Sequence, residues 1–120
     1  MISGNVSKRK GLVGASAPVQ AFINLRGGID NWTPEDVYNS DNSVIGTRYG
    51  QVVNVNNATI TPNSKVDLQI SSEQMVVFYE KDLAFVTENE DGVVTIYCIG
   101  SVPENDYTLQ ATVTEVATNA

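Results

Sequence analysis

The chain has 120 residues, of which 42% are hydrophobic, so it is the size of one domain that can bury a core. Its net charge of −7 argues against nucleic-acid binding, because neutralising phosphates supplies most of the affinity in such complexes. One cysteine and no histidine exclude an internal disulfide, a Ser–His or Cys–His catalytic pair, and a zinc site built from histidine or several thiolates. We therefore expect no enzymatic activity and no cofactor.

Residues 1–20 are predicted to form an extended N-terminal arm that anchors the protein to a partner. This segment carries a net charge of +3 and no acid, whereas residues 21–120 carry four basic and fourteen acidic side chains. Sparse apolar residues flank its basic triplet, and the triplet interrupts the apolar run that a secretory signal requires. The alternative is a terminus without a fixed position. The predicted anchoring residues are Ile2, Val6, Lys8, Arg9, Lys10, Leu12 and Val13.

Residues 21–57 are predicted to hold a strand, a short helix and a loop region. The strand covers residues 20–26 and ends at a Gly27-Gly28 turn. Thr33 and Pro34, followed by two acids, have the pattern of a helix N-terminus. Turn residues at 39–43 then limit this helix to about one or two turns, and a further strand is expected over residues 51–55.

Residues 58–118 are predicted to form the β-sandwich core module. Apolar and polar side chains alternate over residues 65–70 and again from Tyr107 to Thr114. Between them, Asp91-Gly92 separates two apolar runs and predicts a hairpin with a tight turn. The fold class expected for the whole chain is therefore mainly β, a small antiparallel sandwich or barrel with one or two short helices and the arm.

Residues 72–81 have two interpretations. Ser71 and Gln74 form a capping-box pattern, which predicts a helix whose buried side carries Met75, Phe78 and Tyr79. The run from Val76 to Tyr79 is rich in β-branched and aromatic residues and would also suit a strand.

Two groups of side chains are weighed as functional candidates. Cys98 shares one strand face with Val94 and Ile96, which favours a buried hydrophobic role over a nucleophilic one. Exposed aromatic rings can stack on sugars or line an interface, although packing on the sheet is their commoner use. The aromatic candidates are Trp32, Tyr38, Tyr49 and Tyr107.

Three motifs between residues 58 and 116 resemble a module of structural proteins from tailed bacteriophages. The first is T-I-T-x-x-S-x-V-D-L, matched from Thr59 to Leu68. The second is the hairpin x-E-N-x-x-G, matched from Thr87 to Gly92. The third is G-x-x-P-x-x-D-Y-x-I-Q, matched from Gly100 to Gln110 with Leu109 in place of isoleucine. The arm is also similar to the N-termini of phage fibre and baseplate-associated proteins.

This resemblance implies a role in the phage particle, assembled in the bacterial cytoplasm, as a fibre, a fibre anchor or a capsid-decorating protein. It implies further copies of the chain, in a trimer for many such proteins, and phage capsid or tail proteins as partners. It brings no catalytic residues, and we expect neither nucleic acid nor a membrane as a partner. The alternative function is a carbohydrate- or receptor-binding β module that recognises a host-surface glycan.

Overall fold

Eight strands and one α-helix are found in the computed structural model, which describes residues 17–116. A short 3₁₀ helix, Ile29–Asn31, follows the first strand, and helix α1 covers Ser72–Glu80. The strands are β1 Val19–Leu25, β2 Thr33–Tyr38, β3 Val44–Val53, β4 Val55–Asn56, β5 Ser64–Gln69, β6 Leu83–Glu90, β7 Val93–Gly100 and β8 Tyr107–Glu115.

These strands form two antiparallel four-stranded sheets that pack together, which confirms the predicted fold class in its sandwich form. Sheet I has the order β4-β1-β8-β5, and sheet II has the order β2-β3-β7-β6. Strand β1 pairs along its whole length with β8, from Val19 opposite Val113 to Leu25 opposite Tyr107. The predicted segments 21–57 and 58–118 therefore both contribute strands to each sheet. None of the described helices is long and apolar enough to cross a membrane.

The core lies between the sheets because each central strand directs alternate side chains inward. On β8 these are Leu109, Ala111 and Val113, and on β7 they are Ile96 and Cys98 with their neighbour Val94. The predicted alternation of β8 is confirmed, as is the predicted buried face that Cys98 shares with Val94 and Ile96 on β7. The remaining buried hydrophobic residues are Ala21, Ile23, Leu25, Trp32, Val53, Val66, Phe78 and Leu83.

The helix predicted to begin at Thr33 is wrong, because residues 33–38 form the edge strand β2. Its N-terminal signals are local, whereas the strand is fixed by pairing with β3, which sets Glu35 opposite Arg48 and Val37 opposite Gly46. Pro34 is compatible with this position because an edge strand does not need every backbone N–H for pairing. The turn predicted over residues 39–43 is confirmed, since Asn39 Oδ1 accepts hydrogen bonds from the backbone N–H groups of Asp41 and Ser43.

Helix α1 is capped as predicted, with Ser71 Oγ accepting a hydrogen bond from the backbone N–H of Gln74 at 3.1 Å. Phe78 is buried, and its ring contacts the rings of Phe85 and Tyr107 in edge-to-face geometry. The centroid-to-centroid distances are 5.1 Å to Phe85 and 5.0 Å to Tyr107. Met75 and Tyr79 are exposed, so the prediction that they lie on the buried side is wrong. The contact of Phe78 with the two aromatic residues sets the rotation of the helix and turns Met75 and Tyr79 to the surface.

The predicted hairpin turn at Asp91-Gly92 is confirmed, with positive φ angles of 54° and 90° at the two positions. This is the conformation of the tight turns that join antiparallel strands. The predicted arm requires a correction at its end, because Val19 and Gln20 already belong to β1. The predicted anchoring residues of the arm all lie outside the described residues.

Candidate functional site

The first two motifs that carry the phage resemblance meet at one end of the sandwich and tie it together. The Thr61 and Ser64 hydroxyls both donate to the carboxylate of Glu115 at the end of β8. Asn89 Nδ2 donates to the carbonyl oxygens of Thr61 and Ser64, each at 2.8 Å, and Asn89 Oδ1 accepts from Gly92 N–H at 2.9 Å. Thr61, Ser64 and Asn89 of the two motifs therefore have structural roles. They join β5 of sheet I to the β6–β7 hairpin of sheet II.

The third motif closes the opposite end of the sandwich. Its Pro103 is buried, and the Pro103 carbonyl oxygen accepts a hydrogen bond from Gly28 N–H at 2.9 Å. Asp106 Oδ1 accepts from Gly27 N–H at 2.8 Å. The loop before β8 is thus bonded to the Gly27-Gly28 turn after β1, and the motif holds the chain reversal in place.

The candidate aromatic residues lie in different environments, and the structure does not gather them into one site. Trp32 is buried, with its indole N–H donating to the carbonyl oxygen of Arg26 at 2.8 Å. Tyr49 and Tyr107 are half-buried against the core. Tyr38, in contrast, is 58% exposed. Trp32 therefore packs into the core and is not available to stack on a ligand. Tyr38 is the candidate whose ring is available at the surface.

Cys98 is fully buried, as predicted, on the inward face of β7. Burial raises the pKa of its thiol from the ordinary value of 9.0 to about 11. A thiol of this pKa is protonated at neutral pH and is a poor nucleophile. Among residues 17–116, no group of three or more acidic or cysteine side chains is placed to hold a metal ion.

The outer faces of the two sheets differ in chemistry. The outer face of sheet I is almost entirely polar, with threonine and glutamine along β8 and Lys65, Asp67 and Gln69 on β5. Phe22 on β1 interrupts it and is 37% exposed. The face is therefore polar, and within it the Thr112 hydroxyl is buried without a hydrogen-bond partner among the described residues.

The outer face of sheet II carries exposed hydrophobic side chains, and we call this surface outer face II. Val52 is 69% exposed, Ile99 57% and Val86 54%. Tyr97 lies between them, directly opposite Val86 on β6. The residues that define outer face II are Arg48, Gly50, Val52, Ala84, Val86, Val93, Tyr97 and Ile99. Val52, Val86 and Ile99 lie in different rows across the sheet, so this face mixes exposed apolar side chains with polar ones, as many protein interfaces do.

A charged cluster crosses the middle of outer face II. Arg48 forms ion pairs with Glu35 and with Glu88, and its guanidinium lies 3.8 Å from the centroid of the Tyr97 ring. Partial burial tends to lower the pKa of Arg48, but the hydrogen bonds that its guanidinium donates to Glu35 and Glu88 outweigh this effect and raise the pKa. The cluster fixes the Tyr97 ring and covers it, so this ring offers no open stacking surface for a sugar.

Gly50 completes the shape of this surface. A Cβ atom at Gly50 would lie 2.8 Å from Cε1 of Tyr97 and 3.2 Å from Cγ2 of Thr95. The absence of a side chain at Gly50 therefore lets the Tyr97 ring lie against β3.

The β2–β3 hairpin extends beyond the rest of sheet II, and we call residues 36–47 the ribbon. Strand β3 pairs with β7 only from Arg48 to Val53, whereas its pairing with β2 continues to Val44. Tyr38 lies opposite Val44, and the exposed fractions of the two side chains are 58% and 55%. The adjacent Ile45 is 65% exposed. The ribbon is thus a second exposed apolar surface.

A polar cleft of about 450 Å³ lies between β1 and β3. Two of its side chains, Gln51 and Asn31, are already engaged, because Gln51 accepts from Arg26 N–H at 2.8 Å and Asn31 Nδ2 donates to the Gly27 carbonyl. The amides of Asn54 and Asn56 also line the cleft. Because Arg26 lines it as well, the cleft presents amides and one guanidinium to a polar ligand.

The residues of outer face II were not among the sequence candidates, although the sequence contains a signal for them. Strand β7 reads Val-Val-Thr-Ile-Tyr-Cys-Ile-Gly, with apolar residues at both odd and even positions. A strand that is apolar on both sides predicts that both of its faces are covered. Comparisons with protein-family models, curated proteins and solved structures found no match.

Proposed function

We propose that the chain is a non-enzymatic structural protein of a bacteriophage particle, in the role of a fibre, a fibre anchor or a capsid-decorating protein. It would associate with copies of itself and with capsid or tail proteins, using outer face II and the N-terminal arm. The observation that carries the proposal is outer face II, which exposes three aliphatic side chains by more than half. The phage-like motifs add support for the particle as the location of this assembly.

Outer face II is suited to a lattice or a symmetric oligomer because it is flat and half apolar. Covering Val52, Val86 and Ile99, each already partly covered by its own sheet, would contribute about 1 kcal/mol apiece. That sum is modest beside the entropic cost of association. The contact therefore needs either several copies arranged around an axis or a second attachment point, and the arm is the proposed second point.

The self-association is tested by sedimentation velocity of the full chain and of two charge-insertion variants. Val52→Lys and Ile99→Lys place an ammonium on outer face II, and both should shift the protein towards the monomer. Thr114→Lys on sheet I is the matched control and should leave the mass unchanged. Far-ultraviolet circular dichroism checks that all three variants fold. A wild type that stays monomeric at all concentrations, or variants with unchanged mass, would contradict the proposal.

The location is tested separately by purifying phage particles from the bacterial host on a density gradient and probing them with an antibody to the chain. Retention in intact particles, at a fixed number of copies per particle, is the expected result. Recovery of the chain only in the soluble fraction would overturn the virion role.

The alternative proposal is a carbohydrate-binding module, which is favoured by the amide-lined cleft and the exposed ring of Tyr38. A glycan array with the full chain tests this alternative. Asn54→Ala and Asn56→Ala should each reduce any binding, and a uniformly negative array would eliminate it.

A further inference from the structure

We propose that the ribbon is the docking site for the N-terminal arm of a second copy, so that subunits join head to tail. This inference rests on the proposed function only in treating the arm as the attachment segment, and it does not depend on the virion role. It names the surface that receives the arm and the residues that recognise it.

The ribbon has an architecture that a partner strand would complete. Residues 44–47 of β3 have no partner on the β7 side, and β2 pairs only with β3 among the described strands. Two-stranded ribbons are marginally stable in water, and a third strand stabilises them. Pro34 lacks a backbone N–H, but β2 continues beyond it from Glu35 to Tyr38, where the backbone can accept an added strand.

The ribbon also offers the apolar contacts that an added strand needs. Tyr38 and Val44 are directly opposite each other, so their side chains share one face. The register between the strands shifts between Val37 and Tyr38, leaving Ile45 as the extra residue of a β-bulge. A bulge redirects side chains, and Ile45 is the most exposed of the three. An apolar residue of the arm would be received between these side chains.

The charges of the ribbon complement those of the arm. Asp36 and Asp41 lie on the ribbon, and neither forms an ion pair with any residue in the 17–116 range. The arm contains the triplet Lys8–Lys10 and no acid. The opposite charges of the ribbon and the arm favour the encounter of two copies and help to select the arm as the partner of the ribbon.

The spacing of residues along the arm matches that along β2. Asp36 and Tyr38 are two residues apart, as are Lys10 and Leu12. Residues two apart on a strand point to the same face. An arm strand that runs in the same direction as β2 therefore places Lys10 beside Asp36 and Leu12 beside Tyr38.

The distance along the strands favours the arm of another copy over the protein's own arm. From Val19, β1 runs about 20 Å to the turn where Arg26 bonds Gln51, and β3 then runs about 20 Å from Gln51 to Val44. Lys10 lies nine residues before Val19, so it reaches at most about 30 Å. The two runs together span about 40 Å, so Lys10 falls short of its own ribbon even when the arm is fully extended. A neighbour stacked end to end brings its ribbon close to Val19.

A charge-exchange experiment on the full chain tests the contact. One variant reverses the arm, with Lys8–Lys10 all changed to Glu, and a second reverses the ribbon, with Asp36→Lys and Asp41→Lys. Each variant alone should associate at least about tenfold more weakly than wild type, as judged by sedimentation velocity in low salt. An equimolar mixture should recover association, because the reversed arm then meets the reversed ribbon and the unchanged arm meets the unchanged ribbon. In both pairings the arm and the ribbon are opposite in charge. Asp67→Lys with Glu80→Lys, on sheet I and on helix α1, is the control with the same change in net charge, because both side chains are exposed and lie outside the ribbon and outer face II.

Four outcomes would overturn the inference: a wild type that remains monomeric, a reversed variant that associates as tightly as wild type, a mixture that fails to recover, or a control that weakens association equally. The variants of outer face II separate this inference from the proposed function. Association that is lost in Val52→Lys but unaffected by charge reversal supports the proposed function and refutes arm docking. The converse pattern supports arm docking and refutes self-association through outer face II.

Discussion

Gly27→Ala should destabilise the protein strongly, although it adds a single methyl group at the surface end of the sandwich. A Cβ atom at Gly27 would lie 2.5 Å from each of three backbone atoms of Asn105. Backbone cannot rotate away as a flexible side chain can, so the loop before β8 must shift. That shift would strain the hydrogen bonds from Gly27 to Asp106 and from Gly28 to Pro103.

The magnitude follows from these contacts. Forcing a methyl group into a closely packed site costs about 1–3 kcal/mol. Weakening one of the two hydrogen bonds adds about 1 kcal/mol. We therefore expect the free energy of unfolding to fall by about 2–4 kcal/mol. Gly46→Ala is the matched control, because a Cβ atom at Gly46 meets nothing within 4 Å. Its effect should stay within about 0.5 kcal/mol of wild type, as for most surface substitutions.

Urea unfolding followed by tryptophan fluorescence is a suitable assay. Trp32 is the single tryptophan of the sequence and is buried beside the same turn, where its indole bonds the Arg26 carbonyl. Its emission should therefore report the loss of this end of the sandwich. Equal urea midpoints for the two alanine variants would refute the close approach of Gly27 to Asn105.

Two further predictions concern the core and the helix. The raised pKa of the buried Cys98 thiol predicts that stability is retained below pH 9 and falls as the pH rises towards 11, because the unfolded chain releases its thiol proton first. At pH 10.5 the loss should be about 2 kcal/mol relative to Cys98→Ala, and parallel pH profiles for the two proteins would contradict it. Ser71→Ala should lower the free energy of unfolding by about 1 kcal/mol through loss of the cap of α1. Ser72→Ala, one residue inside the helix, is its control in the same urea titration and should have little effect.

Much of the fold was predictable because the decisive signals are short in range. The alternation on β8 identifies the buried face of that strand. Asp91-Gly92 sets the turn of the β6–β7 hairpin, and Ser71 marks the start of α1. The region from Thr33 to Tyr38 was not predictable in this way. Its helix-start residues act only on their neighbours, whereas the strand depends on pairing with β3 and on an ion pair between Glu35 and Arg48. Such pairing between separate segments is not visible in either segment alone.

The surface candidates were harder to predict for a related reason. An apolar residue on a strand points either to the core or to solvent, and its sheet decides which. In β7, Ile96 is fully buried and Ile99 is 57% exposed, although both belong to one apolar run. The composition of the strand indicates that both of its faces need covering. Only the packing of sheet II on sheet I shows which face remains open.

The roles of the motif residues determine where a function can be located. Thr61, Ser64 and Asn89 join the two sheets at one end, while Pro103 and Asp106 hold the other. Their side chains or carbonyl groups are engaged within the protein, so substituting them would report mainly on folding. Under the proposed function, a partner contacts exposed side chains such as Val52 and Ile99 on outer face II and Ile45 on the ribbon. Because Val52 and Ile99 on outer face II and Tyr38 and Ile45 on the ribbon lie outside the motifs, they can be altered without removing these ties. A loss of assembly can then be distinguished from a loss of fold.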